Sequence, residues 1–192
     1  LALQTKVNGV WKTDIGVVSV PMMDRIYVAG DKNAFVLHHG MPMALTNTEP
    51  KPPHFGGKAL DTLRGKHIED VVYSKTNPAI FAWRPHIKKT LDGICTITNN
   101  FSAAYMIAGM AEAGGIDGVI LGANALDFAW DTDAAIHIAQ HSGIRCKRFV
   151  LDGEPFVILA KDKSVLLALE KTIRSEYQQC KQAIAPESRV RT

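Results

Sequence analysis

Phe128-Ala129-Trp130-Asp131-Thr132-Asp133-Ala134-Ala135, running on to His141-Ser142-Gly143, leads out of a loop into a run of small and apolar residues. In α/β proteins such a junction sets a carboxylate on the first turn of a helix, at the edge of a sheet. Free N–H groups and the helix macrodipole stabilise the anion there. Asp131 therefore reads first as an N-cap. If it faces a cleft it also suits a hard divalent cation, because Mg2+ takes one or two carboxylates together with substrate phosphate oxygens.

Asp133, His137 and His141 recur every four residues along the same helix. Two histidines four apart can bind zinc. Here they lie opposite Ala134, Ala135, Ile138 and Ala139, which must face a core. The stripe therefore reads as a solvated face with weak Asp–His pairing rather than a zinc site.

Working outward, strands and helices alternate. Toward the N-terminus lie a strand over Asp117–Leu121, a helix from Ser102 to about Ala113 ended by Gly114-Gly115, and a strand over Ile94–Thr98. Before these, Asn77-Pro78 opens a helix with Ile80, Trp83, Ile87 and Leu91 on one face, preceded by a strand at Val71–Ser74. Pro85 inside that helix is expected to kink or split it. Toward the C-terminus, Phe156–Ala160 is a strand, and a helix from near Asp162 turns Val165, Leu166, Leu169 and Ile173 inward. The tail from Ala183 reads as disordered. This alternation indicates a layered α/β domain.

The first third differs. Leu1–Val7 and Val10–Val20 are β-branched runs joined by Asn8-Gly9, the dipeptide of a tight hairpin. Turns at Met22–Asp24 and Gly30–Asn33 extend this into an antiparallel meander to about residue 45. Residues 46–67, rich in Pro and Gly, read as a loop. The chain divides on this reading into 1–67, antiparallel strands of a first sheet plus loop, and 68–192, a C-terminal α/β domain. Leu1-Ala2-Leu3 already reads as strand, so the sequence reads as part of a longer protein.

The chain has 192 residues, 46% of them hydrophobic, enough for a sizeable core. A net charge of +3 without any Lys/Arg block argues against nucleic-acid binding. Three well-separated cysteines, with no CxxC pair, read as reduced thiols of a cytoplasmic protein. No apolar run approaches the about 20 residues of a membrane span, and no secretory signal is present.

Asn99-Asn100-Phe101-Ser102-Ala103-Ala104 is a second strand-to-helix junction. Small residues there let a ligand approach backbone N–H groups, as phosphates do at helix N-termini. An ordinary capped helix with close-packed alanines reads the same way. There is no Gly-x-Ser-x-Gly elbow and no Walker loop to support serine hydrolysis or P-loop chemistry.

At Trp130-Asp131 the sequence resembles the inositol monophosphatase family of metal-dependent phosphatases. Ile15–Pro21, Asp24–Ala29 and Asn33-Ala34-Phe35 look like the family's paired strands. Ser102-Ala103-Ala104-Tyr105, followed by Ala113-Gly114-Gly115-Ile116-Asp117-Gly118, looks like its next helix and exit. The resemblance implies a layered α-β-α-β-α sandwich whose N-terminal part is missing. It also implies hydrolysis of a small phosphate monoester by water activated on Mg2+, and a homodimer. It makes Asp131 a metal ligand and puts Ser102, Ala103 and Asn124 on the substrate side, with Trp130 packed behind.

The family's remaining metal ligands, a Glu and an Asp-Pro-Ile-Asp-Gly-Thr motif, would belong before Leu1 and do not occur in these residues. The catalytic residues are therefore not assigned. Asn124 stands where the family often has an acid, Phe101 replaces a Gly, and Asp133 adds a charge near the site. These departures support an alternative, a phosphatase-like protein that binds or assembles without catalysis.

Overall fold

The computed structural model describes residues 1–46, 59–73, 78–98, 102–112, 115–123 and 129–184. Its first sheet is the meander β1 (Ala2–Val7), β2 (Val10–Val20), β3 (Arg25–Ala29), β4 (Ala34–His38) and β5 (Met41–Ala44), with neighbours antiparallel in chain order. Asn8 and Gly9 both take positive φ, 50° and 83°, as the two-residue hairpin requires. Alternation divides the sheet into two faces. Val18, Tyr27, Ala29, Ala34 and Val36 are buried, whereas Leu3, Ile15 and Ile26 on the other side are exposed.

The second half contributes α1 (Ala59–Leu63), β6 (His67–Tyr73), α2 (Pro78–Leu91), β7 (Thr96–Thr98), α3 (Ala103–Met110) and β8 (Gly118–Ala123). Then come α4 (Ala129–His141), β9 (Arg145–Leu151), β10 (Glu154–Ala160) and α5 (Lys163–Ile184). The second sheet has the order β7-β6-β8-β10-β9; β6, β7 and β8 are parallel, and β10 is antiparallel to both β8 and β9.

Two cores hold the layers together. Helices α3 and α4 lie between the sheets, with Ile107, Ala134, Ile138, Val119 and Tyr27 in one cluster. On the far face, α1, α2 and α5 cover Ile68, Ile120, Phe156 and Ile158. The layers run β-α-β-α. This is the mixed α/β sandwich expected from the sequence, without a first helical layer among the described residues.

Several elements depart from the sequence reading. Helix α1 lies inside the predicted loop because Leu63 is buried against α5. β6 begins at His67, four residues before the predicted strand, since Glu69 and Asp70 are charged yet buried. α2 runs through Pro85 without a break. β9, in the region where strand was expected from Cys146, joins β10 through an Asp152-Gly153 hairpin with φ 50° and 87° and completes the sheet. The α5 reading holds: Val165, Leu166, Leu169 and Ile173 are all buried. Asn77, most of the 46–67 loop and the tail from residue 185 lie outside the described residues.

Candidate functional site

The strand order creates the site's location. From central β6 the chain passes through α2 to β7 on one side. It then returns through α3 to β8 on the other side. Helix α2 packs with α5 on one face of the sheet, and α3 packs with α4 on the opposite face. Such a reversal opens a crevice beyond the carboxyl ends of the parallel strands, here β6 and β8, where ligands bind in open α/β sheets. Helices α3 and α4 follow β7 and β8, so both start at that edge.

Ser102 caps α3 from an extended conformation (φ −116°, ψ 91°), and its Oγ accepts the Tyr105 N–H at 3.3 Å. The Met106 N–H donates to the Ser102 carbonyl at 3.0 Å, the first bond of the helix. Neither bond uses the N–H of Ala103 or Ala104, which have no acceptor among the described residues. Ser102 is thus the N-cap of α3.

Asp131 is the third residue of α4, inside the first turn and not at the N-cap, because the helix begins at Ala129. The dipole still favours its charge there. The side chains of Trp130 and Asp131 lie outside what the structure describes, as do Asn124 and Phe101. The topology brings Ser102, Ala103 and Asp131 to one sheet edge.

Sequence reasoning missed a polar network at the other end of the parallel strands, where β6 and β8 begin. Glu69 on β6 is 1% exposed, and its Oε1 accepts the Thr98 hydroxyl at 2.5 Å and lies 3.2 Å from His67 Nε2. His67 Nε2 is also 2.7 Å from Thr98 Oγ1, and its Nδ1 is 2.9 Å from the Gly115 carbonyl. The Asp117 carboxylate accepts the His67 N–H at 2.9 Å. The network ties the ends of β6 and β7 to the segment before β8. On the opposite face, buried Asp70 accepts Arg84 Nε at 2.9 Å beside a cleft of about 330 Å³ that Lys88 and Thr98 also line. The available signal was the period-2 alternation His67-Ile68-Glu69, in which Ile68 faces one core and the polar pair the other side.

The Asp133–His137–His141 face is not a solvated stripe. α4 presses it against β2, and His137 is only 8% exposed. Asp133 Oδ2 accepts Gln4 Nε2 at 2.9 Å. Burial holds the His137 imidazole below its ordinary value of 6.5, assisted by neighbouring His141 and opposed by the Asp14 backbone carbonyl. The unfolded chain therefore takes up the proton first, and stability is lost as pH falls below about 6.5. His137→Gln should flatten that part of the profile, read from denaturant midpoints between about pH 7.5 and pH 5. An unchanged slope would contradict the assignment.

The thiols offer no nucleophile. Burial pushes Cys95 up to about 11 and raises Cys146 and Cys180 as well. Among the described residues no helix is long and apolar enough to cross a membrane.

No protein-family model matches the sequence, and no curated protein matches it. Solved structures do match its fold. The chain superposes on the extragenic suppressor protein SuhB from Bartonella henselae with a TM-score of 0.58 at 16% identity, over 85% of this chain and 57% of that one. An inositol monophosphatase from Anabaena (Nostoc) gives a TM-score of 0.47 at 16% identity, over 95% and 65%. The chain shares the fold of SuhB and spans just over half the length of that chain.

Proposed function

We propose that this chain forms the phosphate-binding side of a Mg2+-dependent phosphatase acting on a small phosphate monoester. The observation that carries the reading is the opening of α3 and α4 on one carboxyl edge, at the strand-order reversal, in a fold shared with SuhB. On this reading the Ala103 and Ala104 N–H groups bind phosphate oxygens and Ser102 holds their turn in place. Asn124 meets the rest of the substrate.

Asp131 is a hard oxygen donor of the kind Mg2+ prefers. Among the described residues, however, no three His, Cys, Asp or Glu side chains converge on one point. One carboxylate does not hold a pair of ions. On this reading the chain's own part is phosphate binding, with Asp131 as one donor to the metal. Asn124, Phe101 and Asp133 favour a second reading, a phosphatase-like protein that binds or assembles without catalysis. In either case we take the assembly to be a homodimer, which sedimentation measures directly.

The test is phosphate release from a panel of monoesters with and without Mg2+, paired with calorimetric binding of the same compounds. In the longer protein to which this reading assigns the chain, the expected result is Mg2+-dependent release that drops about a thousandfold in Asp131→Asn, equivalent to about 4 kcal/mol of barrier. The 192 residues alone should bind without turnover. Binding without turnover in the longer protein selects the second reading. Release that persists in Asp131→Asn removes Asp131 from the site.

A further inference from the structure

We propose that His137 and His141 are the nitrogen pair of a transition-metal site, suited to Zn2+ or Cu2+, in the cleft between α4 and the β1–β2 hairpin. This inference is independent of the phosphatase reading and uses the other half of α4.

The cleft has a volume of about 260 Å³. Its two imidazoles stand one helical turn apart with ring centroids 4.1 Å apart and planes tilted by 43°. His141 Nδ1 lies 2.9 Å from the His137 carbonyl oxygen. A carbonyl can only accept, so Nδ1 carries the proton and Nε2 keeps its lone pair. This is how metal-ligating histidines are oriented, with the second nitrogen tied to a backbone carbonyl or carboxylate.

His137 supplies the second nitrogen. Its ring is more than nine-tenths buried and borders the cleft, and its Nε2 has no hydrogen-bond partner. The His137 ring meets the Asp14 backbone carbonyl, but its Nε2 has lost water without gaining a partner. A cation shared with His141 would satisfy both nitrogens.

Carboxylates of Asp31 and Asp133 on the wall balance the Lys12 and Arg148 cations there. No third donor completes a cage among the described residues, so water fills the remaining positions, for which the cleft has room. Two imidazoles select zinc or copper over magnesium and calcium, which prefer all-oxygen sites.

The experiment is calorimetric titration of metal-stripped protein with Zn2+, together with electron paramagnetic resonance of the Cu2+ form. The expected results are one Zn2+ per chain, affinity weakened at least about tenfold in His141→Ala, and a Cu2+ spectrum showing coupling to two imidazole nitrogens. Should His141→Ala fail to fold, the Cu2+ spectrum of His39→Ala decides the matter: the two-nitrogen signal persists if it comes from this cleft and is lost if it comes from the neighbouring rings of His38 and His39. The spectrum also separates this site from adventitious binding at the cysteines. Absence of stoichiometric Zn2+ binding, unchanged affinity in a folded His141→Ala, or a spectrum without two nitrogens would each overturn the proposal.

Discussion

Gly16→Ala is expected to destabilise the protein by about 3 kcal/mol, the upper range for forcing one extra methyl into a packed core. At this chain length that lowers the melting temperature by about 6–12 °C. A Cβ on Gly16 would sit 2.5 Å from the Ala134 carbonyl oxygen and 3.1 Å from the Ala134 Cα. Both are backbone atoms, so no side-chain rotation relieves the clash. β2 and α4 must move apart instead. The facing Ala134 and Ala135 are themselves buried, which shows how closely this strand and helix approach. Because α4 carries Asp131 at one end and His137 farther along, the same substitution should disturb the proposed phosphate-binding edge as well as the core. Ser19→Ala, at an exposed position of the same strand, is the control. Equal melting temperatures for the two variants would show that the approach is looser than described.

Leu169→Ala is expected to cost about 3–4 kcal/mol through lost burial and a residual cavity. Leu169 is fully buried on α5 and packs over Gly118 at the start of β8. A Cβ built on Gly118 would meet Leu169 Cδ1 at 2.9 Å, Ile68 Cδ1 at 3.2 Å and the Leu159 carbonyl oxygen at 3.3 Å. Gly118→Ala should therefore destabilise the native protein, with its tightest contact against Leu169. Once Leu169 is truncated, the new methyl enters the vacated space, and the second substitution should cost little. The double-mutant cycle is expected to show a favourable coupling of about 1–2 kcal/mol. Additivity to within about 0.5 kcal/mol would mean that the carbonyl of Leu159, not Leu169, limits the space at Gly118.

The sequence by itself determined the features that depend on neighbouring residues. Asn8-Gly9 sets the first hairpin because two consecutive positive φ angles are easiest for those residues. Ser102 starts α3 because its own hydroxyl satisfies a nearby N–H. Leu166, Leu169 and Ile173 reveal the inner face of α5 through helical spacing alone. The alternation of strand and helix was legible for the same reason, and with it the sandwich class.

Only the tertiary structure decided the rest. Glu69 and Asp70 hide β6 in the sequence because groups that make their burial tolerable lie elsewhere in the chain: Thr98 on β7 for Glu69, and Arg84 on α2 for Asp70. The order β7-β6-β8, which gathers Ser102 and Asp131 at one edge, depends on strand pairing over long separations. His137 read as solvated because helical spacing tells which residues share a face but not what that face meets. β2 lies more than a hundred residues earlier, and its approach at Gly16 turned an apparently solvent-facing stripe into a buried seam. Local conformational preference is written within a few residues of where it acts; compensation of buried charge and the choice of packing partner are not.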